Sequence, residues 1–182
     1  MDVQPELFDR GPAAPVDVAP QALEASALAE RLSPRIHLGT SSWSFPGWAG
    51  RVYDRVAEPK TLARQGLRAY ARHPLLRTVG VDRAYYEALP ERAYRDYAAA
   101  VPGDFRFVVK AERTLVTPGE PAFLDAGIAL VRVVGPVAAG LGAKLGAILF
   151  QFPPAPPSSA GGPRGFAERL YRLLNALPSV VA

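Results

Sequence analysis

Cysteine is absent from the 182 residues. That removes disulfides, thiolate nucleophiles, cysteine-based zinc sites and thiolate-held iron–sulfur clusters together, and it fits a reducing compartment. Histidine is almost as scarce, with only His37 and His73. Metal-dependent hydrolytic sites draw on several imidazoles and carboxylates, so no metal and no cofactor is expected from this chain. No apolar run approaches the roughly 20 residues that span a bilayer. Met1 to Arg10 carries three acids and one base, without the basic and apolar regions of a signal peptide. The expectation is a cytoplasmic chain with no membrane partner. Phosphate-binding and hydrolase fingerprints are missing as well. No G-x-G-x-x-G follows the first predicted strand, no G-x-x-x-x-G-K-[ST] occurs, and no G-x-S-x-G gives Ser41 or Ser42 a nucleophile's setting.

What remains is an ordinary globular composition, 49% hydrophobic and 21% charged, of a length that suits one domain. Charge is spread unevenly. Residues 1–35 hold six acids and three bases, whereas residues 36–182 hold eleven acids and eighteen bases. A basic body attracts phosphates, anionic metabolites or nucleic acid. Against that, 18 of the 21 bases are arginines scattered over predicted helix surfaces, and no dense Lys/Arg run occurs.

Residues 1–34 read as a Pro/Ala-rich lead, flexible at first and then a short helix from Gln21 to Leu32 with Leu23, Ala27, Leu28 and Leu32 on one stripe. From residue 35 the pattern changes. Strands are predicted at 36–40, 77–81, 105–109 and 145–150. Between them lie a helix capped by Thr61 with Leu62, Leu67, Tyr70 and Ala71 inward, and a helix opening at Pro90 with Ala93, Tyr94 and Tyr97 inward. A longer helical region from Phe123 to Leu141 is expected to break at Gly135-Pro136. A final amphipathic helix carries Phe166, Leu170, Leu173, Leu174 and Leu177. Val180-Val181 then reads as a fifth strand beginning. This alternation predicts parallel strands in an α/β fold. An open sheet and about half of a (β/α)8 barrel, which takes about 250 residues, both accommodate it.

Four segments resemble the YecE-like family, the "domain of unknown function 72" proteins. Ile36–Ser44 with Trp48 and Tyr53 is similar to the opening G-T-S-G-W-x-Y-x-x-W, and Thr78–Tyr86 stands at the place of T-V-E-x-N-x-T-F-Y. Phe105–Lys110 is similar to F-x-F-x-x-K, and Leu145–Pro154 to L-G-x-x-L-x-Q-F-P-P. The resemblance covers residues 36–182. It implies a TIM-type barrel of which residues 35–182 are the N-terminal part, about four βα units and the start of a fifth strand. Gly80, Asp82, Ala84 and Thr117-Pro118 depart from the family's Glu, Asn, Thr and Thr-His.

In such barrels sites form at the C-terminal strand ends. Here the polar residues gather there: Ser41 and Trp43 after the first strand, Asp82, Arg83 and Tyr86 after the second, Lys110 and Glu112 after the third, Gln151 after the fourth. Asp82, Lys110 and Glu112 are the candidate catalytic residues. Ser41, Trp43, Arg83, Tyr86 and Gln151 are the candidate binding residues. A desolvated lysine acts as a base, forms a Schiff base or holds an anion, but Lys110 can equally be a structural partner of Asp82 or Glu112. Asp82 beside Arg83 reads most simply as a local ion pair. The aromatics either stack on a ligand or close the core, and Gln151 either fixes a ligand or satisfies loop backbone. Three functions follow: an enzyme-like barrel binding a small polar or anionic, phosphate-bearing molecule; a nucleic-acid-binding protein using the basic body and exposed aromatics; or a noncatalytic scaffold.

Overall fold

The structure, a computed structural model, describes residues 14–154 and 157–178. The predicted strand at Val180-Val181 and the first thirteen residues of the lead lie outside the described residues. Four parallel strands, β1 (Leu38–Thr40), β2 (Leu76–Val81), β3 (Arg106–Lys110) and β4 (Leu145–Leu149), form one sheet in the order of the sequence. The predicted α/β class therefore holds.

Each strand alternates, which sorts its side chains onto two faces. Val79, Val81, Phe107 and Val109 are wholly buried, packed in one core with Leu67, Tyr70, Tyr94, Val133 and Val137. The opposite face carries Thr78, Gly80, Val108, Lys110 and Leu149 and stays partly open. Register places Val108 beside Gly80 on one side and Ala147 on the other, and Lys110 beside Leu149.

Before the sheet, α1 (Ser26–Arg31) follows a 3₁₀ stretch, Pro20–Ala25. The tighter winding rotates the stripe away from the predicted phase. Ala22 and Ala29 are the buried residues, and Leu23 and Leu28 face solvent. The lead is also more firmly attached than its composition predicts. Val16, Val18 and Ala19 are buried, and Ala19 N–H donates to Val52 O at 2.9 Å. Val16 and Val18 alternate about Asp17, so this extended segment turns both valines inward.

Between β1 and β2 the chain runs through α2 (Pro59–Thr61), a π-helical stretch Leu62–Gly66 and α3 (Leu67–Tyr70). Glu58 rather than Thr61 stands at the cap, with Pro59 at the first helical position, where its missing N–H costs nothing. Tyr70 ties two strands: its hydroxyl accepts from Thr40 N–H at 3.0 Å and donates to Thr78 O at 3.0 Å. After β2 come α4 (Arg83–Tyr86) and α5 (Glu91–Ala99), and after β3 comes α6 (Arg113–Val116).

The predicted break at Gly135-Pro136 does not occur. Helix α7 (Ala126–Ala129), a π-helical stretch Leu130–Val134 and α8 (Gly135–Leu141) follow without interruption. Gly135 N–H donates to Leu130 O across five residues, and this wider turn lets Pro136 enter at the start of the next α turn. The resulting helix, Ala126–Lys144, contains an 18-residue window of mean hydropathy 1.7, long and apolar enough by length and composition to cross a membrane. That corrects the expectation that no stretch approaches this length. Ala129, Val133, Val137 and Leu141 form its buried stripe within the core. Helix α9 (Gly162–Ala176) closes the described chain and buries Leu173. Leu174, predicted inward, is exposed beside an apolar hollow of about 310 Å³ along β4.

Candidate functional site

Three of the sequence-predicted residues meet on the open face of the sheet. Ser41 follows β1, Asp82 follows β2, and Lys110 ends β3. Together with Thr78, Gly80 and Leu149 they line a cleft of about 250 Å³ at the C-terminal strand ends. Two glycines shape it. A Cβ on Gly39 would stand 1.9 Å from Thr78 O, and one on Gly80 would stand 2.7 Å from Ser41 O. Only glycine permits these approaches of backbone to backbone. The cleft floor is therefore peptide and small apolar surface, edged by one carboxylate and one ammonium.

Lys110 Nζ lies 3.1 Å from Asp82 Oδ1, with the two side chains 24% and 35% exposed. Asp82 Oδ1 is shielded from solvent and has no hydrogen-bond partner of good geometry among the described residues, so this ammonium is its compensation. The expected local pair of Asp82 with Arg83 does not form. Asp82 precedes α4 and points along the open sheet face, while Arg83 begins the helix and pairs with Glu87 at 3.8 Å, one turn on.

The other candidates stand elsewhere. Glu112 is 6% exposed and does not line the cleft. Its Oε1 accepts from Arg132 at 2.5 Å and from Thr114 Oγ1 at 3.1 Å, and its buried Oε2 has no hydrogen-bond partner among the described residues. Lys110 thus has Asp82 as its ion-pair partner and Glu112 has Arg132. Trp43 is buried on the helix side: its indole N–H donates to Ala63 O at 3.3 Å, and its ring meets Tyr97 edge-on at 5.1 Å. Tyr86 is exposed and touches Tyr85 edge-on at 5.3 Å, while Gln151 is exposed beyond β4.

Neither histidine joins the cleft. His37 Nδ1 lies 3.4 Å from Arg77 O. His73 Nδ1 accepts from Leu75 N–H at 3.2 Å, and burial pushes its pKa below the ordinary value. Among the described residues no group of three His, Asp or Glu side chains is arranged to hold a metal.

Sequence reasoning missed Thr78, Val108 and Leu149 as cleft walls. The signal was available: Thr78, Gly80 and Asp82 occur at i, i+2, i+4, and Val108 and Lys110 at i, i+2, and such spacing shares one face of a strand.

A profile described as "Protein of unknown function DUF72" matches residues 37–182. Two crystal structures of a DUF72 family protein from Enterococcus faecalis V583 are similar to the chain. The one at 3.10 Å resolution is 20% identical with a TM-score of 0.53, and the match covers 79% of this chain and 47% of that one. The one at 2.52 Å is 23% identical with a TM-score of 0.49, covering 62% and 44%. The chain spans about half the length of these solved relatives. No curated protein matches it.

Proposed function

The chain belongs to the DUF72 family of proteins of unknown function, and on that premise we propose that it forms part of the wall of a TIM-type (β/α)8 barrel binding a small polar anion at the C-terminal strand ends. Strand order supports the barrel. Doubly wound open sheets reverse their order at a switch point, whereas these strands run β1-β2-β3-β4 without reversal. Core packing on one face and a partly open second face also suit a barrel wall, since parallel sheets ordinarily have both faces covered.

The observation that carries the ligand reading is the Asp82–Lys110 pair on the edge of the cleft. An ammonium offers three donors. Asp82 balances its charge through the ion pair at 3.1 Å without a well-aligned hydrogen bond, and the donors are left for an anionic group of the ligand. Asp82 Oδ2 accepts from a neighbouring ligand hydroxyl. The complement is a small hydroxy acid or a small phosphorylated alcohol. The volume agrees, because about 250 Å³ lies below the roughly 300–1,000 Å³ of sites for drug-sized ligands. Ser41 also lines the cleft, on the β1 side.

Thermal denaturation of the full-length protein against a panel of small phosphorylated and carboxylated metabolites tests this reading. At least one should raise the melting temperature of the wild type and fail to raise that of Lys110→Met. Without ligand the variant should stay folded and melt at most a few degrees below wild type, because a half-solvated pair contributes about 1 kcal/mol or less. An empty panel, or equal stabilisation of the variant, would sink the proposal.

A further inference from the structure

A second surface, on the outer helices, has a different chemistry. Two hollows of about 200 and 450 Å³ lie between the helical stretch 59–72 and α5. The first is walled by Arg64 and Arg68, the second by Arg68 and Arg72. They share Arg68 and Ala100, so they form one groove. We propose that this groove docks the sugar–phosphate backbone of a single-stranded nucleic acid.

The argument starts from spacing. Lys60, Arg64, Arg68 and Arg72 recur every four residues. In a pure α-helix such a row drifts about 40° at each step, from 3.6 residues per turn. The π-helical stretch Leu62–Gly66 winds more widely and turns the row back toward the helix axis. At 1.5 Å per residue the charges follow one another at about 6 Å, close to the separation of successive phosphates along an extended strand. Guanidinium groups suit phosphate oxygens because their planar fork donates two parallel hydrogen bonds.

Charge and shape narrow the partner. Lys60, Arg64 and Arg68 have no ion pair or hydrogen bond among the described residues, and Arg72 ends the row paired with Asp17. Asp96 is the one acid among the residues lining the groove. The far wall is otherwise small and apolar, with Ala99, Ala100 and Pro102, and the rings of Trp43 and Tyr97 border the first hollow. A sugar edge can rest on Ala99 and Pro102, which are exposed. A lipid surface fits poorly, because none of the exposed large apolar side chains lines the groove and nothing would anchor in acyl chains.

The test is fluorescence anisotropy of a labelled oligothymidylate with the full-length protein over a series of salt concentrations. Wild type should bind with log K falling linearly against log salt. Arg64→Gln/Arg68→Gln should weaken binding at least about tenfold at low salt and reduce the slope by about 1.4, at about 0.7 per phosphate contact. Arg164→Gln/Arg169→Gln on α9 changes net charge equally and should bind as wild type does. Both variants should melt with the wild type, since all four side chains are exposed. Undetectable binding by wild type, or equal losses in the two double variants, would overturn the proposal. So would displacement by polyglutamate as effective as that by unlabelled oligothymidylate, which would assign the groove to an acidic peptide.

Discussion

Ser41 arches over Gly80 so closely that its carbonyl oxygen occupies the space of a side chain at that position, 2.7 Å from where a Cβ would stand. The end of β1 is thereby laid across β2, and the cleft takes its shape from this crossing. Asp82, two residues on and facing the same way, pairs with Lys110 at 3.1 Å.

Replacing Gly80 by Ala should therefore destabilise the fold by about 1–3 kcal/mol, the ordinary range for overpacking a filled site. The opposing atoms are backbone, so they yield only by shifting the chain after β1. Urea denaturation should show a lower midpoint with an unchanged slope. A midpoint equal to that of wild type would mean that Ser41 does not lie over Gly80.

Arg132→Met should destabilise the protein by about 3 kcal/mol, because it strands the carboxylate of Glu112 in the interior. The loss should not be additive. Glu112→Leu/Arg132→Met removes both charges and should recover most of the stability, with a coupling energy measurable in a double-mutant cycle. Additive losses would show that the two residues do not interact.

Tyr53, Tyr70, Tyr94 and Tyr97 all have phenol pKa values raised above 10.0, in each case chiefly by burial. Above pH 10.0 the unfolded phenols release protons that the folded ones retain, so the folded state binds more protons and stability falls as pH rises. Below that pH their contribution is fully present. The urea midpoint should hold steady up to about pH 10 and then decline. Tyr94→Phe should make that decline shallower. A midpoint unaffected by alkali would contradict the burial of these rings.

Tyr70→Phe should have a further effect at neutral pH. It leaves the part-buried Thr78 carbonyl and Thr40 amide without their shared hydroxyl. The expected loss is about 1–3 kcal/mol, read from the same urea titration at pH 7. A neutral effect would show that these backbone groups find other partners.

Much of the architecture was legible from local pattern. The alternation of Thr78, Gly80 and Asp82 with Val79 and Val81 states which side chains share a face. The spacing of strands and amphipathic helices states that the sheet is parallel. Local pattern failed where winding departed from the α-helix. Leu23 and Leu28 face outward because a 3₁₀ stretch resets the phase, and Gly135-Pro136 sits inside a helix because a π turn absorbs it.

Within the candidate site, the sequence alone determined that Ser41, Asp82 and Lys110 lie at strand ends. The tertiary structure decided the pairings. Asp82 takes Lys110 rather than its neighbour Arg83, and Glu112 takes Arg132 from twenty residues away. Periodicity fixes the direction in which a side chain leaves its own strand or helix. Which charge it meets depends on the register between strands and on how helices pack over them, and those are set by contacts between residues distant in the chain.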